Sequence, residues 1–328
     1  MRQRDRVSTS GSVAAPTDGR LLTRTFASLG VPTYRTFAIS QATLFTALQM
    51  QQMARLWYIH DLTGSAISLG LLGLATGAPM LLLALLGGAL ADRLEKRTLM
   101  VGGSLASLVL ALLIGLSISL GVIRWWFLVV AGIGQGTVMA LLMPARNALV
   151  PALVERRLLL NAISLNAAQM NVTRIVAPAI AGYLIGLAGI EVVYYVMAGV
   201  YGLAALIILA LPRTGTASRD GRGSVGSAML DGLKYARGNP VIFHLLVFAF
   251  VTVILGMPFQ FLLPLFTEGI LHVGPEGLGN LMAALGAGAL LGSLLTASLG
   301  EYRRKGVLLI ALTVLLGVAI ALFSASRA

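Results

Sequence analysis

Nine apolar stretches follow one another along the chain, each long enough to be a membrane-crossing helix, and that succession limits the fold more than any other property. They cover about 36–60, 66–90, 99–120, 125–145, 159–187, 191–211, 241–266, 278–299 and 307–325. A hydrocarbon layer roughly 30 Å thick takes about 20 helical residues to cross. Apolar residues lie on nearly every face of these segments, unlike the one-sided stripe of a soluble helix. Strand alternation is absent and Leu, Ala and Gly dominate, which excludes a membrane barrel. Composition agrees: 57% of the 328 residues are apolar and 11% charged, against about 25% charged in an ordinary soluble domain. The expected fold is an all-α polytopic membrane protein. With no cysteine present, disulfides, thiolate nucleophiles and cysteine-bound metals are excluded.

The net charge of +12 invites a nucleic-acid reading until its distribution is examined. With the N-terminus placed in the cytoplasm, 20 of the 24 Lys and Arg residues fall on the inner side. Arg124 and Arg327 fall outside, and Arg55 and Arg174 lie within spans. This is the positive-inside asymmetry of short loops, so the charge reports topology, requires no nucleic-acid partner and suits contact with anionic headgroups of the lipid bilayer. Residues 1–35 read as a flexible cytoplasmic tail without a signal-peptide core. A six-helix bundle follows over 36–212, then a cytoplasmic linker over 213–240, then three helices over 241–328. Within the linker, Met229, Leu230, Leu233 and Ala236 recur at helical spacing beside Asp231, Lys234 and Arg237. The pattern fits a short amphipathic interfacial helix or a solvated linker helix.

The six and the three resemble each other. Gly88 to Arg97 forms a charged inner turn after the second span, and Leu299 to Lys305 forms its counterpart between the eighth and ninth. Parallel repeats of helical bundles are a transporter architecture. Residues 88–100 are similar to the signature loop of the major facilitator superfamily, G-x-L-A-D-R-x-G-R-K-x-x-L. Gly88, Leu90, Ala91, Asp92 and Arg93 match, Lys96 and Arg97 match with their order exchanged, and Glu95 and Met100 depart from it. The run Ala91 to Arg97 looks most like the enterobactin-exporter branch. Leu62 to Ser65, Pro144 to Pro151, Asp231 to Tyr235 and Asn239-Pro240 carry the same resemblance. The superfamily has twelve helices, so the resemblance implies that nine are present of twelve, as six plus three, with a C-terminal truncation. Arg174 to Gly182 is similar to the exporter-associated G-P-x-x-G-G motif, with Ala177 and Ala181 in place of glycines.

The resemblance implies a secondary active exporter of small molecules, a drug, siderophore or other metabolite, working by alternating access. It assigns Gly88, Asp92, Arg93, Lys96 and Arg97 to a conformational latch, in which Asp92 meets a helix N-terminus and nearby arginine. The competing reading is a solvated turn that only fixes topology. Arg174 lies mid-span, where a charge costs about 2.5–3.5 kcal/mol on insertion scales, so it is expected to face a cavity or an interhelical partner. Asn166, Gln169 and Asn171 precede it on the same helix, and Gln41, Gln52 and Arg55 share one face of the first. These seven are the candidate cavity residues, with polar interhelical packing as the alternative. Arg55 could also snorkel outward. Pro178 and Gly182 are expected to kink and pack their helix, and the GxxxG pairs Gly132/Gly136, Gly182/Gly186 and Gly288/Gly292 to let helices approach closely.

No carboxylate falls inside a span, so proton coupling, an open possibility, would have to use Asp92, Asp61, the missing helices or something else. The histidines, His60, His244 and His272, lack the spacing of a zinc helix. No serine–base pair is apparent, so neither an enzyme nor a cofactor or metal site is expected. The alternative function is a non-transporting remnant or membrane assembly partner.

Overall fold

The computed structural model describes residues 26–213, 234–256, 258–298 and 305–326, without the side chains of 85, 92, 253 and 305. The described residues form helices and short turns. α1 runs Pro32–Thr63, α2 Ala66–Arg93, α3 Lys96–Ser119, α4 Trp125–Leu153, α5 Leu159–Ala188 and α6 Ile190–Leu209. After the linker come α7 Pro240–Gly256, α8 Pro258–Gly269, α9 Pro275–Ser298 and α10 Lys305–Ala325. Counting α7 and α8 as one run, eight helices among the described residues are long and apolar enough to cross a membrane. α1 is the exception at the place where the first span is expected. It is 32 residues long, ample for a crossing, but the glutamines and Arg55 lower its hydropathy.

Local sequence explains the ends of these helices. Pro32 opens α1 at the position where a missing N–H is harmless, and Gly64 closes it in the left-handed conformation at φ 56°. Only Leu94 and Glu95 separate α2 from α3, and Thr98 Oγ1 donates to Glu95 Oε2 at 2.9 Å across the first turn of α3. Gly189, at φ 88°, is the single residue between α5 and α6.

One span differs from its expected form. The fourth was expected to end near 145, but α4 continues through Pro144 and Pro151 to Leu153. Arg146, assigned to an inner loop, is therefore buried inside a helix. In the seventh, helix is described on either side of residue 257, over Pro240–Gly256 and Pro258–Gly269. Of the linker helix only 234–238 lies among the described residues, and these are helical. The tail to residue 25 and the second charged turn at 299–304 lie outside them.

α1 sits at the centre, packed against α5 and α6 along its length and against α2, α4, α8 and α9 more locally. α2 packs on α4, α3 on α6, and α9 on α5. Leu44, Met50, Met53, Leu56, Tyr194 and Tyr201 form the interior. The outside is apolar as well: Ile67 and Leu187 are each 84% exposed, as suits a surface facing lipid and not water.

Glycines set the closest helix approaches. A Cβ on Gly136 would strike the Thr76 carbonyl, and one on Gly87 the Ala140 carbonyl, so α2 and α4 touch backbone to backbone at two levels. On the α5–α9 seam, a Cβ at Gly182 would lie 2.5 Å from the Pro275 carbonyl oxygen. At Gly279 it would lie 2.7 Å from the Pro178 carbonyl oxygen, and at Gly286 2.9 Å from the Arg174 carbonyl. The expected Gly288/Gly292 pair takes no part, because both positions are open. The seam on α9 follows a seven-residue spacing instead. Gly136→Val should therefore lower stability by about 1–3 kcal/mol through overpacking, read as a fall in thermal melting temperature in detergent. Gly288→Val should leave the melting temperature unchanged.

Candidate functional site

The polar face of α1 creates the site. Phe45, Leu48, Gln49, Gln52 and Leu56 recur at helical spacing, and with Arg55 they form one wall of a cavity of about 240 Å³. Leu72 and Thr76 of α2, Gln135 and Met139 of α4, and Phe261 of α8 complete it. Phe261 reaches α2 because Gly73 has no side chain; a Cβ there would meet the ring at 3.2 Å. The cavity thus lies between early helices and a helix from beyond the linker.

Arg55 is 6% exposed, and its Nη1 is buried without a hydrogen-bond partner. Its electrostatic neighbours are the hydroxyls of Tyr194 and Tyr201 on α6. The Tyr201 hydroxyl donates to Gln51 Oε1 at 2.7 Å. Gln135 Nε2 donates to Ser107 Oγ at 3.3 Å while its Oε1 has no partner.

The seven candidate cavity residues separate into three groups. Gln52 and Arg55 line the cavity. Gln41 is fully buried elsewhere on α1, with neither amide atom partnered. The α5 residues serve another place. Asn166 Oδ1 accepts from Arg146 Nη2 at 2.8 Å, and the same nitrogen lies 3.2 Å from Met170 Sδ. The Arg146 guanidinium sits 4.5 Å above the Phe45 ring, a cation–π contact. Gln169, with its amide nitrogen toward α1, donates to the Ala38 carbonyl at 3.1 Å and accepts from Ala42 N at 2.6 Å. These are interhelical bonds. Asn171 is half-buried and Arg174 exposed, and neither lines the cavity. Arg174 contributes its backbone, against Gly286. Its expected cavity role goes to Arg55, because the face of α5 that bears Arg174 turns away from the cavity.

At the charged turn, Gly88 and Asp92 occupy the last turns of α2, Lys96 and Arg97 open α3, and Arg93 is exposed. Arg97 Nη2 donates to the carbonyl of Leu209, the last residue of α6. The turn is thereby tied to a helix C-terminus, where cations are favoured. Pro178 and Gly182 lie buried on the α5–α9 seam.

Sequence reasoning missed one pair. His60 Nε2, near the end of α1, lies 2.6 Å from Glu268 Oε2 on α8. The imidazole is buried and the carboxylate more than half exposed. The available signal was depth: both residues fall near the same end of the first and seventh spans, one on either side of the linker. Thr76 and Gln135 were missed because single hydroxyl and amide groups in a span carry no spacing pattern.

The profile of the family described as transmembrane secretion effector matches residues 23–327. Macrolide efflux protein A of Streptococcus pyogenes is 22% identical over 88% of this chain and 71% of its own length. The multidrug efflux pump Tap of Mycolicibacterium fortuitum is 30% identical over 80% of this chain and 66% of its own. The staphyloferrin A transporter of Staphylococcus aureus is 28% identical over 53% and 44%. Among solved structures, a bacterial homologue of the human lysosomal transporter Spinster, inward-facing and unoccupied, aligns with a TM-score of 0.64 at 17% identity. That alignment covers 84% of this chain and 64% of the homologue. The chain therefore spans between under half and about seven tenths of these proteins. A multi-pass helical membrane protein matched by the family profile over nearly its whole length, it belongs to the transmembrane secretion effector family of the major facilitator superfamily.

Proposed function

We propose that the chain is a secondary active transporter that exports small molecules by alternating access. The cavity walled by Gln49, Gln52, Arg55, Gln135 and Phe261 is its substrate path. The observation that carries this reading is the cavity's position, with polar and aromatic side chains of four helices converging at α1 and one wall supplied from beyond the linker. The names of the relatives, macrolide efflux protein, multidrug efflux pump and staphyloferrin transporter, support efflux of an organic molecule. In this reading 36–212 rocks as one six-helix unit against 241–328, with the linker 213–240 between them and the α5–α9 seam as the sliding surface. The acidic variant at Glu95 supports kinship with the enterobactin-exporter branch.

The chain resides in the bacterial inner membrane with its N-terminus in the cytoplasm, a placement supported by the distribution of its basic residues. Reporter fusions after residues 95 and 270 should then report opposite compartments. Fusions reporting the same side would sink both topology and mechanism.

The turn Gly88, Asp92, Arg93, Lys96 and Arg97 acts as the latch of one conformational state. A carboxylate at a helix N-terminus contributes about 0.3–2 kcal/mol, enough to shift a two-state balance by up to roughly thirtyfold. Asp92→Asn should reduce efflux of dyes, antibiotics or siderophores from intact cells by up to roughly 30-fold, with membrane insertion unchanged. Undiminished efflux counts against the latch.

Proton coupling runs through His60 and Glu268. Histidine is the side chain that ordinarily changes charge between pH 5 and 8, and this contact joins α1 to α8. The other charged or titratable groups at this end are Asp61 on α1, Glu191 opening α6, Glu276 opening α9, Arg124 before α4 and His272 in the turn between α8 and α9. α2 and α5 bring none there. The His60–Glu268 contact holds α1 to α8 at this end. His60→Gln and Glu268→Gln should each flatten the pH profile of efflux between pH 5 and 8. A wild-type profile in both variants would remove the pair from the coupling path.

A further inference from the structure

We propose that Arg55 is an anion-recognition group and that the cavity takes an amphiphilic organic anion, a carboxylate or similar group on an apolar body. The inference rests on the exporter reading and adds the class of substrate. Among the described residues two side-chain ion pairs are present, His60–Glu268 and Glu155–Arg157. Neither involves Arg55, and no Asp or Glu lines the cavity. The other buried arginine, Arg146, has Asn166, Met170 and the face of Phe45 around its guanidinium, with its Nε left unpartnered. Arg55 has no such set. Its Nη1 is buried and unpartnered, its tyrosine neighbours are uncharged phenols, and the Tyr201 proton is already donated to Gln51.

A buried cation without a counter-charge is costly to keep in a membrane protein and marks function by default. Guanidinium is also the cation best shaped for a carboxylate, because its N–H fork matches two oxygens at once. Gln52 and Gln49, about one and two turns away on the same helix, can donate to further oxygens, and Thr76 can do so from α2. The remaining walls, Phe45, Leu48, Leu72, Met139 and Phe261, are apolar. A ligand with one charged end and one greasy end satisfies both sets of groups. A ligand cation would be repelled.

The test is calorimetric titration of the purified full chain in detergent with three probes of one shape: 2-naphthoate, 2-naphthamide and 2-naphthylmethylammonium. Charged hydrogen bonds contribute enough that naphthoate should bind about tenfold or more tighter than the amide, with the ammonium weakest. Arg55→Gln should abolish the preference for naphthoate while retaining amide binding, and Arg55→Lys should keep a reduced preference. Equal binding of naphthoate and naphthamide to the wild type overturns the anion assignment and leaves the transport cavity standing. A preference that persists in Arg55→Gln overturns the role of Arg55. Binding of none of the three overturns the inference together with the cavity on which it rests. Should Arg55→Gln fail to fold, the wild-type ranking and Arg55→Lys decide the matter.

Discussion

Hydrocarbon offers no hydrogen-bond partner, so every polar group on a membrane helix must find one within the protein or in an enclosed aqueous space. α1 is where this constraint acts most strongly. It carries Gln41, Gln49, Gln51, Gln52 and Arg55, and other helices surround it on all sides. Gln51 is satisfied by Tyr201, and Gln169 of α5 presents both of its amide atoms to the α1 backbone. Gln41 is buried away from the cavity without a partner, and Gln49, Gln52 and Arg55 line it. The polarity that makes α1 the least apolar of the long helices is thus also the reason it is central.

Encirclement requires close neighbours, and small residues provide them. Gly87 and Gly136 bring α2 and α4 into backbone contact, which fixes Thr76 and Gln135 as facing walls. Gly182, Gly279 and Gly286 do the same for α5 and α9. Without a hydrophobic driving force between helices in lipid, such backbone proximity and a few polar bonds supply much of the association. A seam made of glycine and carbonyl groups, with few interlocked side chains, also lets one helix slide along another at little cost.

The sequence made the spans and the turns plain, because twenty apolar residues in a row and a two-residue charged turn each have one physical explanation. Positions along the chain at which several structures satisfy the same pattern were harder. Pro144 and Pro151 read as the end of a helix, yet α4 runs through both. Arg174 and Arg55 are both arginines within spans, and only the rotation of each helix decides which faces the cavity. GxxxG spacing predicted close approach correctly at Gly136 and Gly182 but pointed to the wrong glycines on α9. His60 and Glu268 lie more than two hundred residues apart, and no local pattern announces a partner across the linker.

α8, Pro258–Gly269, closes the seventh span. Phe261 and Glu268 stand seven positions apart on it, two helical turns along one side. One walls the cavity and the other meets the imidazole of His60. Any tilt of α8 would carry both side chains at once, which ties the shape of the chamber to the contact at its mouth.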